Sequence, residues 1–370
     1  MNENQLLYQV ALGMIPGVGS ITAKKLIDHT GSLKGIFSET LSSLQKIPGI
    51  GVLLSKRIRD GKLLLAADRE VNYILKNNIR PLFYRDPDYP ERLNQCHDAP
   101  LIMYMKGTLD MNPAKIISVV GTRNPTDYGI HHCRSLIREL AEGHREVVIV
   151  SGLAYGIDVC AHKAALDNQL ATIAVLGHGF RHLYPVVHSK IAGKIEKEGA
   201  LVTEFCSNTK PERNNFIRRN RIIAGLSDAT LIVQSGIKGG ALITAEMANT
   251  YNRDVFAIPG RVDDKCSAGC NRLIKSQRAS LVENSTDLEY ILGWTRRDIQ
   301  SLGVQPSLFN DLGDDERIIV DLLSDKKLHS VDSICINSDM PVSKVSSLLL
   351  KLEFSGLVYC LPGNLYRLCR

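Results

Sequence analysis

No run of eighteen apolar residues occurs in the 370-residue chain, so a membrane-spanning helix is not expected. The N-terminus is polar and lacks the basic region and continuous apolar stretch of a secretory leader. Paired metal spacings are missing too. The nine cysteines are scattered, and Cys266 and Cys270, a C-x3-C arrangement, are followed by no second pair or histidine at zinc-ribbon distance. Reduced thiols in a soluble cytosolic protein, with no metal, are the expectation. No Walker loop is present. The Gly-x-Gly of Gly177 and Gly179 lacks the third glycine of a dinucleotide fingerprint and a convincing ribose-binding acid, which disfavours a nicotinamide or flavin, and no cofactor is expected. A large excess of one charge is also missing. With 45 Lys and Arg against 39 Asp and Glu, the net charge of +6 allows a nucleic-acid surface without requiring one, so local clustering has to decide.

What the chain does have, from Ile116 to Gly260, is one unit repeated: a short β-branched run, a glycine-containing turn and an amphipathic helical stretch. The runs at 116–120, 147–150, 172–176, 200–203, 230–233 and 255–258 are apolar but for Ser118, Thr172, Thr203 and Thr230, as strands buried on both faces should be. Helical patterns such as 128–141 and 157–166 are long enough to cross between them. The fold class this implies is α/β, a doubly wound and mainly parallel sheet. In such sheets ligands bind beyond the carboxyl ends of the strands.

The turns at those ends share a chemistry. Gly121, Thr122 and Arg123 follow the first run, Ser151 and Gly152 the second, and Gly177, His178 and Gly179 the third; Ser235, Gly236, Gly239, Gly240 and Thr244 follow the fifth. Glycine can serve only to turn the chain tightly. Four such turns at one edge, with hydroxyls, helix N-termini and an arginine, also make an anion site suited to phosphate. Between the fourth and fifth runs the sequence from Arg213 reads RNNFIRRNRIIAG. Arg213, Arg218, Arg219 and Arg221 supply guanidinium forks, Phe216 an aromatic face for a base, and Asn214, Asn215 and Asn220 amides for base edges. One polymer needs all three. A solvated basic helix start with Phe216 as a buried anchor is the competing reading, since Ile222 and Ile223 give the helix a core face.

The runs ISVVGTRNPTDYG (117–129), IVSGLAYGIDVCAHKAAL (149–166), ALVTEF (200–205), NFIRRNRIIAGLSDATLIV (215–233) and VFAIPG (255–260), with DPDYPERL (86–93) before them, resemble the DNA-processing protein A family, also called Smf. The resemblance implies a Rossmann-like core that binds single-stranded DNA, forms homodimers and loads a RecA-type recombinase during natural transformation. It places the family's Gly-Ser/Thr-Arg turn on Gly121, Thr122 and Arg123, and its basic Asn-Phe segment on Asn215 to Arg221. Two positions depart from the pattern: Arg181 stands where the family often has an acid, and Arg278 where a glycine is expected.

Around this core, residues 1–70 carry two similar pieces, Ile15-Pro16-Gly17-Val18-Gly19 and Ile47-Pro48-Gly49-Ile50-Gly51, the pattern of tandem helix-hairpin-helix motifs. These either contact DNA, helped by Lys24, Lys25, Lys56, Arg57 and Arg59, or serve as a compact structural module. The lead-in to the core carries an apolar run at 101–105, expected to add a strand or lid. Residues 71–295 make up the core with this lead-in, and residues 296–313 read as a linker. Beyond it, helices at 314–323, 331–336 and 342–354 and a hairpin turning at 362–364 give a winged-helix module. Its third helix offers Lys344 and Lys351 but also Glu353 and no arginine, which favours protein docking over duplex reading. The pairs Asp158/His162 and His178/His182 lack further ligands, so no catalytic residue is expected, and Asp158 suits a helix N-terminus. The rival function is enzymatic. SGIKGGALITAE (235–246) is similar to the glycine-rich loop of nucleotide phosphoribohydrolases, with Glu246 the nearest counterpart of their acid, but the spacing and the Gly-Thr step do not match.

Overall fold

A computed structural model describes residues 3–295, 313–325, 329–354, 357–361 and 365–368, which divide into two compact units at about residue 297. The expected linker at 296–313 lies outside the described residues save Gly313, and so does the hairpin turn at 362–364.

The first unit opens with six helices: α1 (Glu3–Met14), α2 (Ser20–Thr30), α3 (Leu33–Ser38), α4 (Leu41–Gln45), α5 (Val52–Ile58) and α6 (Gly61–Lys76). The two Ile-Pro-Gly pieces adopt one geometry. Val18 N donates to Ile15 O and Ile50 N to Ile47 O, with Gly17 and Gly49 at φ of +90° and +93°. Proline second and a left-handed glycine third is the chemistry of a type II turn. Gly19 and Gly51 then cap α2 and α5. Leu6, Val10, Ile36, Val71 and Ile74 pack in the same cluster as Met103 and Met105 of the sheet, so the helical segment shares the core of the domain that follows.

Within the described residues that domain is built on one nine-stranded sheet, ordered β1-β2-β6-β5-β4-β3-β7-β8-β9. The six expected strands appear as β3 (Lys115–Val120), β4 (Val147–Ser151), β5 (Thr172–Val175), β6 (Ala200–Thr203), β7 (Ala229–Ile232) and β8 (Asp254–Ala257), all mutually parallel. The 101–105 run becomes β2 (Ile102–Gly107), antiparallel to β6 and to β1 (Arg80–Phe83). The two-residue β9 (Ser280–Leu281) closes the other edge. Alternation along the strands explains the two apolar layers: Ile116 and Val120 of β3 join the cluster shared with the N-terminal helices, whereas Ile117 and Val119 face the cluster of α8 (Asp127–Gly143) and α9 (Ile157–Asp167). The remaining helices are α7 (Glu91–Asn94), α10 (Ser189–Glu198), α11 (Arg213–Leu226), α12 (Gly240–Thr250), α13 (Ala268–Lys275) and α14 (Ser285–Leu292). From β3 the chain runs outward through β4, β5 and β6, then returns to place β7 on the other side of β3. This reversal opens a crevice at the strand ends.

The second unit packs α15 (Asp314–Leu322), α16 (Val331–Ser338) and α17 (Val342–Phe354) on a three-stranded sheet of β10 (His329–Ser330), β12 (Leu365–Leu368) and β11 (Val358–Leu361). Ile319, Leu323, Ile334, Val345, Leu349 and Leu352 form its core. Both exposed lysines of α17 are taken up by acids of α15: Lys344 meets Asp315 at 2.8 Å and Lys351 meets Glu316 at 2.6 Å. Among the described residues no helix is long and apolar enough to cross a membrane.

Candidate nucleic-acid interface

A cavity of about 640 Å³ occupies the crevice beyond β3 and β7. The ends of five parallel strands contribute to it: Gly121, Thr122 and Arg123 after β3, Ala154 and Asp158 after β4, Tyr184 after β5, Arg213 after β6, and Lys238, Gly239, Gly240 and Thr244 after β7. Helix α11 forms one wall with the side chains of Phe216, Arg219, Asn220 and Ile223, the i, i+3, i+4, i+7 stripe of a single helix face.

The loop carrying Arg123 is held from below. Thr122 N donates to Gln234 O at 2.8 Å, and Thr126 N donates to Gln234 Oε1 at 2.9 Å. Ile157 N donates to Thr122 O at 3.1 Å. Gly156, at φ +79°, lets α9 start against this loop, because a Cβ there would stand 2.2 Å from Thr122 O. Arg123 itself is exposed, as are Arg213 and Lys238, and these three cations face the cavity. Phe216 is half-buried. Its ring lies against Gly177, where a Cβ would come within 2.7 Å, and beside Tyr184, ring centroids 5.5 Å apart. Two aromatic faces and a rim of cations thus share one concave surface.

Arg219 has a different role from its neighbours. It is only 3% exposed, donates from Nη1 to Val175 O at 2.6 Å, and lies under the Phe216 ring. Burial brings its guanidinium down to about 10, opposed by the charge of Asp158, so it stays cationic at neutral pH. Asp158 is the matching anion: burial pushes its carboxyl up, while Arg219 and backbone hydrogen bonds from Ala154 and Gly152 pull it down. Asp158 sits in the first turn of α9, as its sequence position suggested, but also faces the cavity. Gly152 makes room for the buried guanidinium, since a Cβ there would lie 1.9 Å from Nη1.

Several residues selected from the sequence are engaged elsewhere, and their assignment is corrected accordingly. Arg221 is buried, donates to Asp98 O and bonds Glu204 at 2.5 Å, so its guanidinium is not presented to the cavity. Arg218, one turn back on the same face, is exposed but leans on the same carboxylate at 2.9 Å and on the Phe205 ring. The 3.6-residue period points both arginines at Glu204 and sends Arg219 the other way. Ser151 is buried with its hydroxyl donating to Val119 O at 2.7 Å. His178 is buried, accepts from Tyr184 N at Nε2 and faces Gly179 O with Nδ1; burial lowers its pKa, so it is a neutral brace. Gly179 is needed for protein packing, its Cβ position lying 2.0 Å from Cys206 O. Asn215 donates to Lys210 O and steadies the approach to α11. His162, also buried, meets Thr172 Oγ1 at 2.7 Å, with burial lowering its pKa to about 3. Gly240 is the contrast: nothing of the protein lies within 4 Å of its Cβ position. Sequence reasoning missed Lys238, Tyr184, Gly156 and Gln234, of which only Gly156, in the SGLAYGID run, carried a visible signal.

Glu246, the acid of the enzymatic reading, lies outside this cavity. It pairs with Arg278 at 2.5 Å beside a separate hollow of about 350 Å³ between α12 and α13. Thr244 faces the main cavity and Glu246, two residues on, does not.

The family model described as DNA recombination-mediator protein A matches residues 80–292, more than half of the chain, and one described as a winged helix domain of DprA matches 306–364. Protein Smf of Synechocystis is 34% identical over 86% of this chain and 77% of its own length. Protein Smf of Escherichia coli is 36% identical over 76% of this chain and 75% of its own. Among solved structures, DNA processing protein A from Streptococcus pneumoniae superposes with a TM-score of 0.66 at 30% identity, covering 78% of this chain and 97% of that one. A structure of DNA processing protein A from Helicobacter pylori, described as revealing its single-stranded DNA binding mode, gives 0.52 at 29%, covering 58% of this chain and 95% of the other.

Proposed function

The chain belongs to the DNA recombination-mediator protein A family, and on that footing we propose that the cavity beyond β3 and β7 holds single-stranded DNA. The observation that carries this is the convergence of exposed Arg123, Arg213 and Lys238 with the Phe216 and Tyr184 rings on one concave face. Cations alone would serve any anion, and rings alone any apolar ligand; the two interleaved match a polymer of phosphates and unpaired bases. Gly240 opens α12 at the same space and brings its N–H to the helix N-terminus, which suits a phosphate, while the Gly239 N–H donates to Gly236 O at 3.0 Å and shapes the turn. Thr122, Asn220 and Thr244 add hydrogen-bonding groups with no fixed base preference. Arg218 is held by Glu204 outside the cavity lining, while Arg219 and Asp158 form the supporting floor.

A DNA-processing, recombination-mediating role follows from family membership. We extend it to protection of incoming strands, loading of a RecA-type recombinase during natural transformation, and action as a cytoplasmic homodimer, all supported by the resemblance. Catalysis is no part of this reading, because Glu246 is engaged with Arg278 away from the cavity. We assign the segments as 1–70 helix-hairpin-helix, 71–295 strand-binding core, 296–313 linker and 314–370 winged helix. The neutralised lysines of α17 favour protein docking for the last of these over reading a duplex.

Fluorescence titration of a labelled single strand and its duplex, across a salt series and with nucleoside monophosphates as competitors, tests the proposal on wild type and Phe216→Ala. Preference for the strand, a steep salt dependence and a loss of about 1–3 kcal/mol in the variant are expected. Indifference to the strand with tight monophosphate binding would support the small-nucleotide enzyme instead.

A further inference from the structure

Between β6 and α11, residues 204–212 form no regular element, yet they set where Arg213 and Phe216 emerge. The α11 N-cap, Glu212, makes no side-chain capping bond, and the local bond from Asn215 to Lys210 O ties the helix start only to the same irregular segment. The anchor lies on the N-terminal helical segment. Glu70 of α6 is buried, accepts from Ser207 N at 2.7 Å with Oε1, and accepts from Ser207 Oγ at 2.7 Å with Oε2. Ser207 is itself buried and fully engaged: its carbonyl accepts from Arg181 N at 3.0 Å and its hydroxyl from Arg181 Nε at 3.3 Å. Arg181 belongs to the loop after β5 that carries Tyr184. Its guanidinium lies over the ring of Tyr73, again on α6, at 4.3 Å. Gly179 N donates to Thr209 O at 2.9 Å and completes the seam between the two loops.

The loops that deliver the two aromatic rings of the cleft are therefore stitched to each other at Ser207, and both are tied to one helix. The departure at position 181 fits this pattern, since an acid there would neither stack on Tyr73 nor tolerate the neighbouring Glu70. We propose that Glu70 is a positioning residue of the strand-binding cleft, through which the N-terminal helical segment sets the geometry of Phe216 and Tyr184. This rests on reading the cleft as a single-strand site. Glu70 does not line the cavity; it acts by holding Ser207, whose buried N–H would otherwise be unpaired.

The test uses the full chain with Glu70→Ala and Glu70→Gln, measuring single-strand affinity by fluorescence titration and backbone protection by hydrogen exchange without DNA. Glu70→Ala is expected to weaken strand binding at least tenfold and to speed exchange in residues 204–216, with strands β3, β4 and β7 exchanging as in wild type. Glu70→Gln keeps an acceptor for Ser207 N and can donate to its hydroxyl, so it should bind within about threefold of wild type and protect the loop. Wild-type affinity in Glu70→Ala despite faster loop exchange would overturn the proposal. So would exchange that rises throughout the sheet, which marks a stability role alone, or a Glu70→Gln variant as weak as Glu70→Ala. Failure of the wild type to prefer a single strand would remove the functional reading, while the exchange data would still report whether Glu70 holds the loop.

Discussion

Replacing Gly152 and Gly240 separately by alanine distinguishes two uses of glycine that look alike in the sequence. At Gly152 a Cβ would lie 1.9 Å from Nη1 and 2.5 Å from Cζ of Arg219. That guanidinium is buried and bonded to Val175 O, so it has to leave its site. Leaving breaks a charged hydrogen bond, at about 1.5–3 kcal/mol, and removes the larger of the two favourable charge effects, from Arg219 and Arg123, on the Asp158 carboxylate. Removing one partner of a buried pair costs about 3–5 kcal/mol when nothing relaxes. The cavity gives Arg219 an escape into solvent, so roughly 3 kcal/mol is the expected destabilisation. Urea unfolding followed by circular dichroism would show it as a midpoint lowered by about 1 M or more for a slope near 2–3 kcal/mol/M. At Gly240 no protein atom obstructs a Cβ, and alanine is the better helix former, so stability should hold or rise by up to about 1 kcal/mol. Only a ligand close to the backbone would register that methyl. Loss of one charged contact to the α12 N-terminus is then about 1.5–3 kcal/mol, or roughly ten- to a hundredfold in strand affinity. A Gly152→Ala protein as stable as wild type would refute the account of Arg219. A Gly240→Ala protein with unchanged strand affinity would refute backbone approach at α12.

Arg123→Ala should weaken single-strand binding on every sequence alike and reduce the magnitude of the log–log salt slope by about 0.7, as one phosphate contact is lost; a loss confined to one sequence would contradict the mechanism. His162 is held neutral by burial, with a pKa lowered to about 3, whereas the unfolded chain takes up its proton near 6.5. Its contribution is therefore complete above pH 6.5 and declines as pH falls toward 3, by about 1.4 kcal/mol per unit; His162→Gln, which can still donate to Thr172, should flatten that limb in urea midpoints taken from pH 7 to 5. Glu246→Gln should leave strand binding within twofold and stability within about 1 kcal/mol, since the pair it loses is exposed. A large fall in strand affinity there would return Glu246 to the site.

The sequence by itself determined the sheet. Strands buried on both faces are apolar at nearly every position, so β3 through β8 stand out as apolar runs interrupted by little beyond small hydroxyl residues, and the glycine turns mark the edge where ligands enter. The edge strands β1 and β9 were not legible, because Arg80–Phe83 begins polar and Ser280–Leu281 is two exposed residues. The composition of the candidate site was legible as well: an arginine turn, a phenylalanine among arginines and asparagines, and an open helix start. Tertiary structure decided which of those groups face the cavity. Four arginines within nine residues look equivalent on paper, but helical rotation gives Arg213 to the cavity rim, Arg219 to the floor, and Arg218 and Arg221 to Glu204. The same holds for Ser151 and His178, whose polar atoms are claimed by neighbouring backbone. A buried hydrogen-bonding group takes the nearest partner that the packed chain supplies, and that partner is often far away in sequence.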